Sequence, residues 1–218
     1  MPRFWTANRR LTRAINRSTV LNVIKDEGPV SRTDIVRLSG LSPATVSEIT
    51  ADLIGEGLIY EKEAGDSTGG RPPILLALNH DAAYVVGLKL AERHVSAALT
   101  DIEATILHTL TVPTTGIAVV ERAVAALTGA VEQVIAQSPV SRERVTGVGI
   151  GLAGVIDAER GLCRYSPILD WRDVPLKRLV EEQIGIPVCI DNDVNTLAMA
   201  EKWFGAGQGV DDFLVVTV

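Results

Sequence analysis

The feature that most restricts this chain is a glycine, Gly40, standing between two serines that each open a helix. Ser31 begins Ser31-Arg32-Thr33-Asp34, where a serine oxygen and an acid three residues on satisfy amide groups left free at a helix start. Ile35 and Leu38 give that helix its apolar face, and Gly40 ends it in the left-handed conformation that glycine tolerates. The next helix starts at once: Ser42 is its N-cap, Pro43 occupies the first turn where a missing N–H is harmless, and Val46, Ile49 and Leu53 point inward. Upstream, Val20, Leu21, Val23 and Ile24 follow Ser18 and stop at Gly28-Pro29, which predicts a short first helix. Helix, tight glycine turn, helix is an arrangement whose second member can enter a DNA major groove.

In that reading the groove-facing candidates are Ser42, Pro43, Ala44, Thr45, Ser47, Glu48 and Thr50, small or polar residues able to approach base edges and phosphates. Three short capped helices could equally form a packing module. The stretch beyond the third helix favours the first reading: residues 58–62 read as a strand, 63–71 as a Gly-rich polar loop and 74–79 as a second strand, the wing of a winged helix. The loop ends Gly69-Gly70-Arg71-Pro72-Pro73, which places one arginine on a stiffened, extended backbone suited to a narrow minor groove. An ordinary hairpin tip is the competing explanation for these four candidates, Gly69, Gly70, Arg71 and Pro72.

Charge is divided along the chain. The 218 residues carry a net charge of −6, but residues 1–80 hold 10 Lys and Arg against 9 Asp and Glu, and residues 81–218 hold 11 against 18. Arg3, Arg9, Arg10, Arg13 and Arg17 precede the first acid, Asp26. Such an arm can pair with phosphates and release counterions, or can simply be a solvated terminus. No apolar run is long enough for a membrane span, and no secretory signal follows the arginines. Two cysteines, Cys163 and Cys189, are too few for a disulfide scaffold; they point to a reducing cytoplasm and are expected to pack inside. His80, His94 and His108 lack metal-ligand spacing, so no metal is assigned.

Beyond residue 80, strand-like runs at 84–90, 95–100 and 105–112 precede a long amphipathic helix at 117–137. A strand at 145–152, a loop, a helix at 176–184, a strand at 187–191, a helix at 194–204 and a last run at 213–218 complete an α/β layer with a mixed sheet. Two domains are therefore expected, a DNA-binding head over 1–80 and an α/β domain over 81–218. In the latter, the glycine-rich strand could bring a ligand close to backbone or serve only packing. Asp191, Asn192 and Asp193 stand where a strand ends and a helix begins, a crevice that ligands favour and where the same side chains can also cap the helix. Asn192 offers donor and acceptor and Asp193 two acceptors, a pairing suited to vicinal sugar hydroxyls.

These residues carry a resemblance. The winged helix ending Gly-Gly-Arg-Pro, the run Gly147-Val148-Gly149-Ile150-Gly151-Leu152-Ala153-Gly154, Ser166-Pro167 with Trp171 beyond, and Asp191-Asn192-Asp193-Val194-Asn195 followed by Glu201 resemble the ROK family of repressors, open reading frames and sugar kinases, in its transcriptional-regulator branch. The resemblance implies an actin- and hexokinase-like (ribonuclease H-like) fold of two lobes, with Gly154, Ser166, Pro167, Asn192 and Asp193 lining a sugar pocket. In kinase relatives the residue matching Asp193 is the general base. Those relatives also carry Asp-x-Gly-Gly-Thr after the first strand to hold phosphates; here the stretch is Lys89-Leu90-Ala91-Glu92-Arg93, whose acidic and Cβ-bearing residues do not cradle phosphate. The family's zinc site lies further along than this chain extends, so no zinc is assigned to it. Residues 213–218 read as the first strand of a second lobe otherwise missing, so a truncated product or fragment is expected, or a strand that pairs with another chain.

The expected function is a cytoplasmic, sugar-responsive transcriptional regulator, a repressor, binding double-stranded operator DNA as a homodimer or higher homo-oligomer, with a sugar or sugar-phosphate effector. It needs no cofactor and is not an enzyme. The alternative is an ATP-dependent sugar kinase fused to a DNA-binding head; a sequence-neutral DNA-binding protein is a third reading.

Overall fold

The computed structural model describes residues 9–63, 73–210 and 212–216. The chain divides into two compact units, Met1–Ala82 and Ala83–Val218.

In the first unit, α1 (Arg9–Glu27), α2 (Arg32–Ser39) and α3 (Pro43–Gly55) surround a small core of Val20, Ile24, Ile35, Val46 and Leu53, each at most 1% exposed. The caps form as the residues dictate. Ser31 Oγ accepts from Asp34 N at 3.2 Å and donates to the Asp34 carboxylate at 2.7 Å. Gly40 closes α2 at φ 69°, and Ser42 Oγ accepts from Thr45 N at 3.2 Å. Leu38, expected on the apolar face, is instead exposed: it lies in the last turn of α2, where the chain turns away. A short strand β1 (Val30–Ser31) joins β2 (Ile59–Glu63) and β3 (Ile74–Leu78) in an antiparallel sheet ordered β1-β3-β2. β2 and β3 are the two expected wing strands, in register from Ile59↔Leu78 to Glu63↔Ile74.

The first helix is longer than its apolar residues predict, starting at Arg9 rather than near Ser18. Ion pairs hold the added turns. Arg13 reaches Asp52 at 2.6 Å and Glu48 at 3.4 Å, and Arg17 grips both carboxylate oxygens of Glu56. Glu48, Asp52 and Glu56 recur every four residues, one stripe along α3.

In the second unit, β4 (Tyr84–Leu90), β5 (His94–Asp101) and β6 (Ile106–Pro113) run antiparallel, followed by α4 (Val120–Ala136) and β7 (Val145–Leu152). After a small antiparallel sheet of β8 (Val155–Asp157), β9 (Leu162–Ser166) and β10 (Trp171–Val174) come α5 (Leu176–Ile184), β11 (Val188–Asn192) and α6 (Asp193–Phe204). The large sheet is ordered β11-β7-β4-β5-β6, with the β4–β7 and β7–β11 pairs parallel. Strand alternation sends Val86, Leu88, Leu90, Val148, Ile150 and Leu152 into one core with Leu127 and Val131 of α4 and Leu176 and Val180 of α5. The opposite face carries Gly87, Lys89, Ser96, Ala98 and Gly149, and α6 packs on β7 and β11. A hollow of about 760 Å³ remains over those small side chains.

Three expectations change here. The stretch after β7, read as a loop, forms the β8–β9–β10 sheet, whose Trp171 is 1% exposed and donates from Nε1 to Ala118 O at 3.0 Å. Cys163 is buried, but Cys189 is exposed because it alternates with the buried Val188 and Ile190 on β11. Residues 213–216, expected in a strand, form none: a strand needs a hydrogen-bonded neighbour, and among the described residues no strand pairs with them.

Candidate functional site

The candidate DNA-binding face belongs to the first unit. Ser42, Pro43, Ala44, Ser47 and Glu48 are exposed along the start of α3, and Thr45 is half-buried with its Oγ1 2.8 Å from Ser42 Oγ. Thr50 departs from expectation. It is fully buried, its Oγ1 donating to Ser47 O and accepting from Arg32 Nε, both at 3.2 Å, while Arg32 also reaches Glu61 at 2.8 Å. Arg32 thereby ties α2, α3 and β2 together, and Thr50 positions the helix from beneath rather than meeting a groove. Gly69, Gly70, Arg71 and Pro72 lie outside the described residues.

Two of the five arginines expected to meet phosphates, Arg13 and Arg17, are turned onto the acidic stripe of α3 instead. The Glu56 carboxyl is held below its ordinary range by the Arg17 hydrogen bonds. Asp34 is likewise held low, first by Ser31 and then by Arg37. The spacing of Glu48, Asp52 and Glu56 is legible in the sequence, but the partners that meet it, Arg13 and Arg17, lie 39 positions from Asp52 and Glu56 and are not.

The second candidate site lies where β4, β7 and β11 end. The parallel register sets Lys89 beside Gly151 and Leu90 beside Leu152, with Asp191 beside Gly151 and Asn192 beside Leu152 on the other edge. Gly151 brings α6 close: a Cβ there would stand 3.1 Å from Thr196 Oγ1 and 3.6 Å from Asp193 Cα. Asn192 caps α6, its Oδ1 accepting from Val194 N at 2.8 Å and Asn195 N at 3.3 Å, and its Nδ2 donates to Gly154 O at 2.9 Å. The anticipated capping use is formed: the Asn192 oxygen is committed to α6, and its amide group keeps one hydrogen beyond the bond to Gly154 O. Asp191 Oδ1 accepts from Asn192 N at 2.6 Å and Asn195 Nδ2 at 3.0 Å, which aligns the turn.

Asp193 begins α6, where the helix dipole favours a carboxylate, and its side chain is 24% exposed. Its Oδ2 lies 3.9 Å from Lys89 Nζ. Both line a hollow of about 140 Å³, bounded also by Ala91, Glu92, Ala153 and Ile168. Gly154 approaches the β9 backbone at φ 141°, a conformation that residues with side chains rarely adopt. Ser166 is drawn against Gly154 but is fully buried, and its Oγ accepts from Leu169 N at 3.4 Å; it shapes the floor and does not present its hydroxyl. Pro167 is exposed beside it.

Nearby, Asp157 accepts from Arg160 N and pairs with Arg160 and Arg164, and Arg164 also holds Asp173 at 2.8 Å. These contacts, the Arg160 amide foremost, keep the Asp157 carboxyl below its ordinary range. Burial pushes the Cys163 thiol up. Among the described residues, no group of His, Cys, Asp and Glu is placed to hold a metal ion, and no helix is long and apolar enough to cross a membrane.

Comparison with known proteins divides the chain in the same way. A model described as the ROK family matches residues 85–218, and one described as the IclR helix-turn-helix domain matches residues 16–63. The xylose repressor of Caldicellulosiruptor bescii is 34% identical over 97% of this chain and 53% of its own length. A crystal structure of a ROK family transcriptional regulator, a homolog of the E. coli MLC protein, superposes with a TM-score of 0.75 at 28% identity, covering 92% of this chain and 50% of that one. A ROK family glucokinase from Streptomyces griseus, solved with glucose and AMPPNP, aligns at 37% identity and a TM-score of 0.54, covering 60% of this chain and 39% of that one. The chain spans about half the length of the curated relatives it matches.

Proposed function

This chain belongs to the ROK family, and from that premise we propose that it acts as a sugar-responsive, DNA-binding transcriptional repressor rather than as a sugar kinase. The observation that carries the proposal is the joining, in one chain, of a helix-turn-helix head with an exposed α3 start to a ROK unit whose β4 end carries Lys89, Ala91 and Glu92. Phosphoryl transfer relies on positioning the phosphates and neutralising their charge. The β4–β5 connection is a tight turn, Ala91 N donating to His94 O at 3.0 Å, and Glu92 sets a carboxylate there. Lys89 and Arg93 flank that carboxylate, so what the turn lacks for a nucleotide's phosphates is the glycine backbone cradle and an acid to hold Mg²⁺, not positive charge. Relatives named as repressors support the same side of the choice.

The head over residues 1–80 then reads an operator through Ser42, Pro43, Ala44, Thr45, Ser47 and Glu48, with Gly69, Gly70, Arg71 and Pro72 on the wing. The unit over 81–218 takes a sugar through Gly154, Asn192 and Asp193, with Ser166 and Pro167 supporting the floor. A homodimer would set two α3 helices about one helical turn apart on a near-palindromic operator. Sugar shifts the balance between DNA-competent and incompetent states only by its differential affinity for the two. The natural setting is the cytoplasm, where operator and sugar are both at hand.

The test is a gel shift on DNA upstream of the regulated gene and on random duplex at matched salt, with and without a sugar panel. Preference for the upstream DNA, altered by a sugar, supports the proposal. Equal binding to both duplexes overturns specific repression, and ATP-dependent turnover of a sugar overturns the non-enzymatic reading. Arg71→Ala should weaken operator binding by roughly 1–3 kcal/mol, the loss of one groove contact.

A further inference from the structure

The Lys89–Asp193 pair carries an inference about which class of effector the pocket accepts, resting on the sugar-sensing reading above. The two groups are 3.9 Å apart, too far for a direct hydrogen bond. Both line the hollow of about 140 Å³ at the strand ends. A single oxygen placed about 2.8 Å from each closes that gap as a triangle. To satisfy both, the group must accept from the ammonium and donate to the carboxylate. A hydroxyl does both. A phosphate oxygen only accepts, so it would suit Lys89 and stand unpaired and repelled against Asp193. Glu92 on the rim adds a second negative charge. Lys89 has no side chain opposing it from β7, because its register partner is Gly151.

We propose that Lys89 is an effector-contacting residue, and that with Asp193 it makes this pocket select uncharged sugars over their phosphate esters. Lys89 occupies the β4 end and supplies the one cation among the side chains bounding the described hollow. Its partner Asp193 is held at the start of α6 by the Asn192 cap, so a sugar hydroxyl meets a placed acceptor onto which the largely exposed Lys89 ammonium can close.

The experiment is isothermal titration calorimetry on the full chain with D-glucose, D-xylose and glucose 6-phosphate, for the wild type, Lys89→Met, Lys89→Arg and Asp193→Asn. The wild type should bind a neutral sugar at least about tenfold more tightly than the phosphate ester, the scale of one hydrogen bond to a charged group. Lys89→Met should weaken the neutral sugar by about tenfold, Lys89→Arg by less, and Asp193→Asn should move the sugar-to-phosphate preference toward unity. A purely structural role would move both ligands together and leave that ratio unchanged. Equal or tighter binding of the phosphate by the wild type, or unaltered sugar binding by Lys89→Met, overturns the inference. Should Lys89→Met fail to fold, the ratio in Lys89→Arg and Asp193→Asn decides alone. If the folded wild type binds none of the three, the sugar-sensing reading fails first and this one with it.

Discussion

Replacing Gly154 by alanine tests whether the glycine-rich end of β7 exists to let backbones meet. Two effects add. A φ of 141° is a conformation alanine rarely adopts, worth about 1–3 kcal/mol of strain. The new Cβ would also lie 2.4 Å from Tyr165 O and 3.1 Å from Ser166 Cα, so the β8–β9 hairpin must part, an overpacking effect of about 1–3 kcal/mol. The sum, roughly 2–6 kcal/mol, is a large share of a domain's total stability of about 5–15 kcal/mol. The same shift pulls Gly154 O from Asn192 Nδ2, now 2.9 Å away, and loosens the cap that sets Asp193. Gly149→Ala is the control: nothing lies within 4 Å of its Cβ position, so a change within about 1 kcal/mol is expected, in either direction. Urea unfolding followed by the fluorescence of Trp171, buried in the same unit, reports both variants in a background where the other two tryptophans, Trp5 and Trp203, are replaced by phenylalanine. A loss below about 1 kcal/mol for Gly154→Ala, or one equal to that of Gly149→Ala, refutes the close-approach argument.

Other outcomes rest on the ion pairs, caps and buried groups. Asp34, Glu56 and Asp157 have folded-state values depressed below their ordinary 3.8, 4.5 and 3.8, so their stabilisation is present above that range and is lost as pH falls through the lower folded values. Melting temperature should therefore decline below about pH 4, and a flat acid limb would contradict these contacts. Cys163 has the opposite sign: its thiol is raised from 9.0, so its contribution is present below that value and is lost as pH rises through the folded one, and Cys163→Ala should flatten the alkaline limb of the melting curve. Ser42→Ala should remove about 1 kcal/mol from the head by unmaking the α3 cap; an unchanged melting point would deny the cap its role. Arg17→Ala should leave the salt dependence of operator binding unchanged, since Arg17 is spent on Glu56; a slope reduced by about 1 on a log–log plot would show that it meets a phosphate after all.

Where local chemistry decides, residues announce structure. The Ser31 and Ser42 caps, the Gly40 turn and the α5 limits all derive from side chains acting within a few positions of themselves. The features that sequence does not announce depend on partners distant along the chain. The added turns of α1 rest on acids of α3, 39 positions away. The burial of Thr50 depends on Arg32, and the β8–β9–β10 sheet on short segments that pair only with one another. Cys189 departs from expectation for a different reason: free cysteine is usually buried, but strand alternation outranks that preference on β11. In the candidate site, the strand end at Asp191 and the helix start at Asp193 are legible, but a sequence cannot show that Ser166 turns inward or that Asn192 spends its oxygen on α6.

Asn192 links three things at once: the β7–β8 turn through Gly154 O, the first turn of α6 through two amides, and the pocket through its neighbour Asp193. A ligand hydroxyl that engages Asp193 thereby acts on the start of a helix of which no side chain is buried among the described residues. A helix so lightly anchored is displaced more readily than one locked in a core, since local stability follows buried apolar contact. The cap opposes that displacement, and α6 already lies so close over Gly151 that Thr196 Oγ1 is 3.1 Å from where a Cβ would stand, which leaves little room to slide toward the sheet. Effector binding at the strand ends would then be felt first as a change in the pose of α6 rather than in the sheet, whose strands share the core with α4 and α5.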